Sequence, residues 1–309
     1  MAMTGVSPQS EALASGLASD LLVSLRPDQW TKNLIVFAGL VFGEQLLDPG
    51  AVARSGGTFV IFCALSSAMY LVNDLRDHSR DRLHPGKAAR PIADGRVPAT
   101  VAFGLAGLLL VGGVSGAFLL GPRLGVVALS FAGLLSLYTL VLQEIAILDV
   151  LTIAAGFVLR AVAGAVVLTV PISQWLLVCT LLLALFLALT KRRQEVVALG
   201  ASATKHRPTL GRYSTGVLDQ MVTIVAGATL VSYAVYTTSA ETAANFGTDL
   251  LTLTIPFPVY GVLRYLMLIH HDDCSDPGPS DILLRDRPLA LCVAGWGLSV
   301  ALIIYRPFV

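Results

Sequence analysis

The side chains best suited to bind a metal ion lie between positions 73 and 81. Asn73, Asp77 and Asp81 follow one another at four-residue intervals, and Asp74 adjoins the first of them. On a helix this spacing stacks three oxygen-bearing side chains along one side, with Asp74 about 100° away. Such oxygen ligands suit Mg²⁺, or Mn²⁺ as an alternative, since Mg²⁺ prefers one or two carboxylates together with water and phosphate oxygens. The spacing therefore predicts a magnesium site that binds a diphosphate.

A basic turn follows these acids. Pro85 and Gly86 interrupt the helix, so that Lys87 and Arg90 can return toward the acids and contact the anion held by the metal. Arg82 is a further candidate for contact with the same phosphate groups. In a simpler interpretation, the acids and bases form surface ion pairs of small energetic value and the bases anchor the helix at the membrane. The density of acids favours the functional interpretation.

The rest of the chain is strongly apolar. Of its 309 residues, 55% are hydrophobic and only 13% are charged, and the mean hydropathy is +0.75. These values are typical of a polytopic membrane protein. Every span must be a helix, because lipid offers the backbone no hydrogen-bond partner and the sequence lacks the alternation of barrel strands. The predicted fold class is all-α, and the net charge of +1 gives no reason to expect nucleic-acid binding.

Apolar windows long enough to cross about 30 Å of hydrocarbon predict nine spans. They are residues 33–47, which form the least clear window, then 54–74, 96–123, 124–143, two within 149–191, 219–241, 249–264 and 287–306. Lys and Arg concentrate after spans two and six, which predicts a cytoplasmic N-terminus and an external C-terminus. Residues 1–20 are expected to form a polar tail, and residues 21–309 a single membrane domain.

Basic residues at the predicted cytoplasmic ends of other spans are candidates to bind a lipid phosphate. Their alternative role is to orient the protein, with long side chains that extend to the membrane surface. These candidates are Lys191, Arg192, Arg193, Lys32 and Arg26. Polar residues expected to line a cavity on the same side are Tyr138, Asp149 and Glu195.

Arg160 differs from these bases because it lies near the middle of a predicted span. A charge at that depth costs about 2.5–3.5 kcal/mol on insertion scales, so it must face a partner inside the bundle. Asp149 precedes it by about 16 Å along the same helix, which is too far for a direct pair. The remaining partners are a phosphate of the donor substrate and an acid on another helix.

Several sequence blocks together point to one family. Residues 73–91 read NDLRDHSRDRLHPGKAARP, and further blocks are RPDQWTKN, LDVLTIAAGFVLRAVAG, KRRQEV, YSTGVLDQM and LLRDRPL. This series covers nearly the full chain and resembles the UbiA superfamily of intramembrane prenyltransferases, in particular its branch of bacterial decaprenyl-phosphate phosphoribosyltransferases. The resemblance implies nine helices around a central cavity that opens to the cytoplasmic side of the bacterial inner membrane. It also implies that Asp74, Asp77 and Asp81 are the catalytic acids.

The segment after the sixth span separates this chain from other members of the superfamily. Relatives that act on prenyl diphosphates usually carry a second acid motif there, whereas this chain has KRRQE, with Glu195 as the only acid. One acid cluster together with several bases suits a metal-bound diphosphate and a separate phosphate. The resemblance accordingly implies transfer of a phosphoribosyl group from phosphoribosyl diphosphate to a polyprenyl phosphate in cell-envelope precursor synthesis.

Two other functions stay open. A prenyltransferase would move a prenyl group from its diphosphate to an aromatic or other small acceptor, and the missing second acid motif counts against it. A lipid transporter would need broken helices and polar groups at mid-membrane, whereas the charge here concentrates at one surface. The expected partners are the two phosphorylated substrates and the bilayer, and a homo-oligomer is left open.

Overall fold

The computed structural model describes residues 8–83, 86–199, 208–271, 282–283 and 285–305. Within these ranges the secondary structure consists of α-helices and 3₁₀ helices, without a β-strand. The all-α fold class is therefore confirmed. The chain divides into two compact units: the first contains Met1–Leu34 and Phe59–Ser136, and the second contains Ile35–Thr58 and Leu137–Val309.

The α-helices are numbered along the described chain. They are α1 (Pro8–Leu25), α2 (Ala38–Phe42), α3 (Pro49–Asp81), α4 (Pro91–Asp94), α5 (Ala99–Leu120), α6 (Pro122–Leu140), α7 (Leu148–Leu168), α8 (Gln174–Leu199), α9 (Thr215–Thr238), α10 (Ala240–Phe246), α11 (Pro256–His271) and α12 (Arg287–Ile304). The 3₁₀ helices are Pro27–Phe37, Leu142–Glu144, Pro208–Arg212 and Leu250–Thr254.

Eight helical segments of the described chain are long and apolar enough to cross a membrane. Each of the eight predicted windows from 54–74 onward falls on one of them. The count of nine is not confirmed, because window 33–47 contains the end of a 3₁₀ helix followed by the five residues of α2. The apolar content of this window predicts a span. In the structure α2 is only five residues long, and its Gly39 packs closely against α7.

That close packing belongs to the second unit. A Cβ atom placed on Gly164 of α7 would lie 1.9 Å from the carbonyl oxygen of Val36, and one on Gly39 would lie 2.6 Å from the backbone of Gly164. Backbone therefore meets backbone at this point, which only glycine allows. In the same unit α8 packs against both α7 and α9, and Phe186, Leu218 and Tyr265 belong to its buried core.

Helix α3 positions the acid motif in the first unit. It contains 33 residues, so it is about 50 Å long and exceeds the hydrocarbon thickness of a bilayer. The ring of Phe62 packs against that of Phe131, with centroids 5.0 Å apart. This contact lies near the middle of the helix, and the acids occupy its last turns, beyond the apolar part.

The first unit also orders the segments on either side of α3. Helix α1 runs from Pro8 to Leu25, so the predicted tail boundary at residue 20 lies inside a helix. Asp20 on this helix forms an ion pair with Arg96, and α1 packs against α4. Helix α4 begins at Pro91, whose ring restricts the preceding residue to an extended conformation. This restriction shapes the turn that follows the acids.

Candidate functional site

Two buried carboxylates lie near the C-terminal end of α3. Asp74 is 4% exposed and Asp81 is 5% exposed. Seven positions separate them, so their side chains leave the helix within about 20° of each other. The four-residue spacing predicts Asp81 on the side of Asn73 and Asp77, but each four-residue step rotates by about 40°. Two such steps bring Asp81 closer in direction to Asp74, and the structure pairs these two.

Arg90 joins the two buried carboxylates. Its Nη1 atom donates to Oδ2 of Asp81 over 2.6 Å and to Oδ1 of Asp74 over 3.1 Å. The extended conformation of Arg90 before Pro91 returns its side chain toward α3, as the predicted turn requires. Since the side chain of Arg90 is 27% exposed, solvent or a ligand can reach it. One cationic nitrogen therefore lies between two carboxylate oxygens.

A second arginine reaches the same carboxylate from the start of the chain. Nη2 of Arg26 donates to Oδ1 of Asp74 over 2.5 Å, and its guanidinium carbon lies 5.0 Å from the ring centroid of Tyr70. The ring face and the carboxylate both favour a cation at this position. Arg26 is predicted from the sequence as a ligand of a lipid phosphate, and that role stays a prediction. In the structure Arg26 contacts Asp74, 48 positions away in the sequence.

The other members of the motif surround this pair. Asn73 and Asp77 are half-buried, as is Lys87 in the following turn. Asp77 lies within electrostatic range of both Asp81 and Lys87. We call Asn73, Asp74, Asp77 and Asp81, with Arg26 and Arg90, the acid cluster.

Arg82 takes a different direction. Its Nε atom donates to the carbonyl oxygen of Ala93 over 2.6 Å, so the side chain braces the turn, although the residue is exposed. His84 and Pro85 lie outside the described residues. Among the described residues, no group of three or more His, Cys, Asp and Glu side chains is arranged to hold a metal ion.

A buried arginine organises the polar residues of the second unit. Arg192 on α8 is 3% exposed. Its Nε donates to Oδ2 of Asp149 over 2.7 Å, and its Nη1 donates to Oε2 of Glu195 over 2.5 Å. Its Nη2 also lies 3.4 Å from the hydroxyl oxygen of Tyr138. The residues predicted to line a cavity, Asp149, Glu195 and Tyr138, thus surround Arg192. We call these three residues, together with Arg192 and Tyr213, the arginine network.

Tyr213 also belongs to this network, and the sequence-based prediction of the site does not include it. Its hydroxyl donates to Oδ1 of Asp149 over 2.8 Å and accepts from the backbone N–H of Ile147 over 2.6 Å. Ile147 has a φ of 72°, a left-handed conformation that is costly for a β-branched residue. Burial raises the pKa of Tyr213 from its ordinary value of 10.0 to about 12. The tyrosine therefore stays protonated at neutral pH and helps to hold this strained turn.

The neighbours of Arg192 on α8 differ in their pairing. Nε of Arg193 donates to Oδ1 of Asp219 over 2.5 Å, so this base is also engaged by an acid. Lys191 is half-buried, and the ion pairs in the described part of the chain include both arginines but not this lysine. Of the three consecutive bases, Lys191 is thus the one outside the ion pairs that the described residues form.

Arg160 and Lys32 lie apart from these clusters in the sequence. Arg160 is 6% exposed on α7, and its guanidinium carbon lies 5.3 Å from the ring centroid of Phe157. A cation–π contact is one means of holding a charge in an apolar helix. As expected, Asp149 on the same helix pairs elsewhere, with Arg192 and Tyr213. Lys32 is half-buried in the 3₁₀ helix Pro27–Phe37.

Comparison with known proteins identifies the family. The model of the UbiA prenyltransferase family matches residues 34–280. The chain belongs to the UbiA prenyltransferase family. With eight helical segments in the described residues suited to crossing a bilayer, this UbiA protein is a multi-pass integral membrane protein.

Curated relatives resemble this UbiA protein over most of its length. A decaprenyl-phosphate phosphoribosyltransferase from Mycolicibacterium smegmatis is 34% identical over 304 residues, which cover 94% of this chain and 93% of that protein. A protein of the same name from Mycobacterium tuberculosis is 31% identical over 290 residues, which cover 93% of this chain and 94% of that protein. The similarity thus extends through both structural units.

Solved structures confirm the UbiA fold. A UbiA homologue from Archaeoglobus fulgidus, solved bound to DMAPP and Mg²⁺, superimposes with a TM-score of 0.69. The match covers 91% of this chain and 99% of the archaeal chain, at 18% sequence identity. At this identity the comparison supports the arrangement of the helices and leaves the choice of substrate to other observations.

Proposed function

We propose that this protein transfers a 5-phosphoribosyl group from phosphoribosyl diphosphate to a polyprenyl phosphate and releases diphosphate. The observation that carries this proposal is the similarity to decaprenyl-phosphate phosphoribosyltransferases over 93–94% of the chain. The replacement of a second acid motif by paired bases on α8 supports it. A decaprenyl-type lipid is the natural acceptor, since two relatives of similar length carry decaprenyl phosphate in their names.

The acid cluster offers oxygen ligands for a divalent cation, although its described acids form no group of three ready ligands while Arg26 and Arg90 pair with them. Two buried carboxylate oxygens already flank the cationic Nη1 of Arg90, so the local field favours positive charge. Asn73 and Asp77 add oxygen ligands of the kind that Mg²⁺ prefers. Asn73, Asp74, Asp77 and Asp81 would hold the ion, and its chemistry there is to neutralise charge on the departing diphosphate.

The arginines of the acid cluster have a complementary role. Arg90 and Arg26 are 27% and 24% exposed in their side chains, so each can turn from a carboxylate toward an incoming phosphate group. A guanidinium fork binds phosphate oxygens through paired hydrogen bonds. Lys87, half-buried in the same turn, supplies a further positive charge. We propose that these three bases orient the donor diphosphate.

The reaction needs no protein nucleophile. A lipid phosphate oxygen forms a bond to C1 of the ribose while the bond from C1 to the diphosphate oxygen breaks, and both electrons leave with diphosphate. The attacking oxygen is already ionised near neutral pH, so the protein does not need to remove a proton. The chain must bind two anions that repel each other and hold them in line.

The arginine network and the neighbouring bases have different proposed roles. Arg192 is enclosed by two carboxylates, so we assign it to positioning of the helix ends and assign phosphate contact to Lys191. Arg160 and Lys32 stay candidates for phosphate contact. Tyr138 lies at the edge of the network, where it is half-buried. This assignment narrows the sequence-based prediction, which keeps all three consecutive bases as candidates.

The enzyme would act in the bacterial cytoplasmic membrane. The excess of Lys and Arg after the predicted spans two and six supports a cytoplasmic position for the acid cluster and for the end of α8. A cytoplasmic site matches the water-soluble donor, while the lipid acceptor enters from the bilayer.

The proposal is tested by offering the purified protein two labelled donors in parallel. One is phosphoribosyl diphosphate and the other is a prenyl diphosphate, each with Mg²⁺, polyprenyl phosphate and a small aromatic acceptor. We expect the ribosyl label to enter the lipid fraction and the prenyl label to stay with its diphosphate. Transfer of the prenyl label to a small aromatic acceptor, without ribosyl transfer, would show that the protein is a prenyltransferase.

A further inference from the structure

A buried amide on α8 lacks a partner for its oxygen. Gln194 is 7% exposed, and its Oε1 atom has no hydrogen-bond partner among the described residues. A buried acceptor without a donor destabilises a folded protein, so such atoms are uncommon and call for an explanation. The proposed reaction does not use this residue.

The position of Gln194 on the helix links it to Lys191. The two residues are three positions apart, which places their Cβ atoms about 5–6 Å from each other on one side of α8. Thr190, four positions before Gln194, is buried on the adjoining side. The Tyr265 hydroxyl, also buried without a hydrogen bond of good geometry, approaches Thr190. This side of α8 therefore combines a half-buried cation with unsatisfied polar atoms.

Lys191 differs from its two neighbouring bases in its ion pairs. Arg192 is engaged by Asp149 and Glu195, and Arg193 is engaged by Asp219. Lys191 has no such acid among the described residues. A ligand that satisfies the whole side must present a phosphate to the ammonium group and a hydroxyl that can donate to the amide oxygen.

We propose that Lys191 and Gln194 recognise the phosphorylated sugar, in an inference that rests on the proposed function. The ammonium group of Lys191 binds the 5-phosphate, and Oε1 of Gln194 accepts a hydrogen bond from a ribose hydroxyl. A polyprenyl phosphate or prenyl diphosphate carries no sugar hydroxyl, so neither satisfies Gln194. The pair thus determines specificity for a ribosyl donor.

The first test measures binding of ribose 5-phosphate to the full-length protein in detergent. Gln194→Leu keeps the side-chain volume close to native and removes the acceptor, so we expect affinity to fall about tenfold or more. Its melting temperature should stay level or rise, because an unsatisfied buried group is removed. The matched control is Gln174→Leu, at an exposed position of the same helix, which should keep native affinity. Unchanged binding in Gln194→Leu would overturn the inference.

The second test separates the two sources of phosphate. In Lys191→Gln, binding of ribose 5-phosphate should weaken about tenfold while the KM for polyprenyl phosphate stays native. The reverse pattern would assign Lys191 to the lipid phosphate and overturn the inference. Unchanged binding of both ligands in Lys191→Gln would show that Lys191 binds neither phosphate and would likewise overturn the inference.

Failure of this inference is distinguishable from failure of the proposed function. Wild-type transfer of the ribosyl group, with a native donor KM in Gln194→Leu, would remove the specificity role alone. Absence of ribosyl transfer in the wild type, with ribose 5-phosphate still bound through Gln194, would remove the proposed reaction alone.

Discussion

The acid cluster and the arginine network are opposite solutions to the same electrostatic problem. In the acid cluster, two buried carboxylates share arginines whose side chains are 24% and 27% exposed. In the arginine network, a guanidinium with 3% side-chain exposure is shared by Asp149 and Glu195. The first arrangement leaves its positive partners accessible, and the second encloses its positive partner completely.

This difference indicates which arginines can exchange a carboxylate partner for a phosphate. An arginine at the surface of a cluster can leave one carboxylate for a phosphate, because water and neighbouring bases compensate the change. A fully buried arginine cannot leave without exposing two uncompensated acids to a low dielectric. We therefore expect chemistry at the acid cluster and structural support from the arginine network.

The largest effect should come from breaking the arginine network. Arg192→Met leaves the buried Asp149 and the partly buried Glu195 without their cation, so stability should fall by about 3–5 kcal/mol. Thermal and denaturant unfolding in detergent measure this loss. Arg212→Met is the control, since Arg212 is exposed at the end of the 3₁₀ helix Pro208–Arg212. A stable Arg192→Met protein with weakened lipid binding would instead make Arg192 a ligand.

The acid cluster should respond in activity more than in stability. Asp81→Asn keeps a group that can accept from Arg90 but removes a charged oxygen ligand, and turnover with Mg²⁺ should fall about 100-fold. Asp77→Ala should behave similarly and insert normally in the membrane. Asp94→Asn serves as the control, because Asp94 is exposed and pairs with Arg96. Full activity of both cluster variants at saturating Mg²⁺ would reject the metal assignment.

Substitution of Arg90 should have a smaller effect on activity. Arg90→Lys retains the charge but loses the planar fork that can bind two phosphate oxygens at once, so the KM for phosphoribosyl diphosphate should rise about tenfold. The KM for polyprenyl phosphate and the melting temperature should change little. Arg96→Lys, in the next turn of the chain, is the matched control. An equal rise in both KM values would indicate a general loss of structure.

The smallest effect should follow from Tyr213→Phe, at about 1 kcal/mol of stability near neutral pH. Because the native state raises the pKa of Tyr213 from 10.0 to about 12, it holds the phenol proton more tightly than the unfolded chain does. This contribution is fully present below pH 10 and is lost as the pH rises toward 12. Unfolding measured from pH 8 to 12 should therefore decline less steeply in Tyr213→Phe than in the wild type. Parallel curves would contradict this role.

The sequence predicts the fold well where apolar length decides the structure. Eight windows coincide with membrane-length helices, because a bilayer leaves an apolar segment little alternative. The window at 33–47 is not confirmed as a span, and its packing depends on a tertiary contact. Val36 and Gly39 pack backbone to backbone against Gly164, and no local pattern encodes the distance between segments so far apart in sequence.

The candidate site is predicted less completely. The spacing of the acids and the Pro-Gly turn indicate that Arg90 returns to α3, since both are local features. The contact of Arg26 with Asp74 and the capture of Arg192 by Asp149 join distant positions. A run such as KRRQE cannot reveal which of its bases already has an acid, nor that Tyr213 supports one of those acids.

The central claim is that the protein moves the phosphoribosyl group to lipid and releases the diphosphate of the donor. Its most direct test uses one donor with carbon-labelled ribose and a phosphorus label in the β-phosphate, incubated with polyprenyl phosphate and Mg²⁺. We predict that the carbon label enters the lipid and that the phosphorus label is released as water-soluble diphosphate. Entry of both labels into the lipid together, or of neither, would contradict the account.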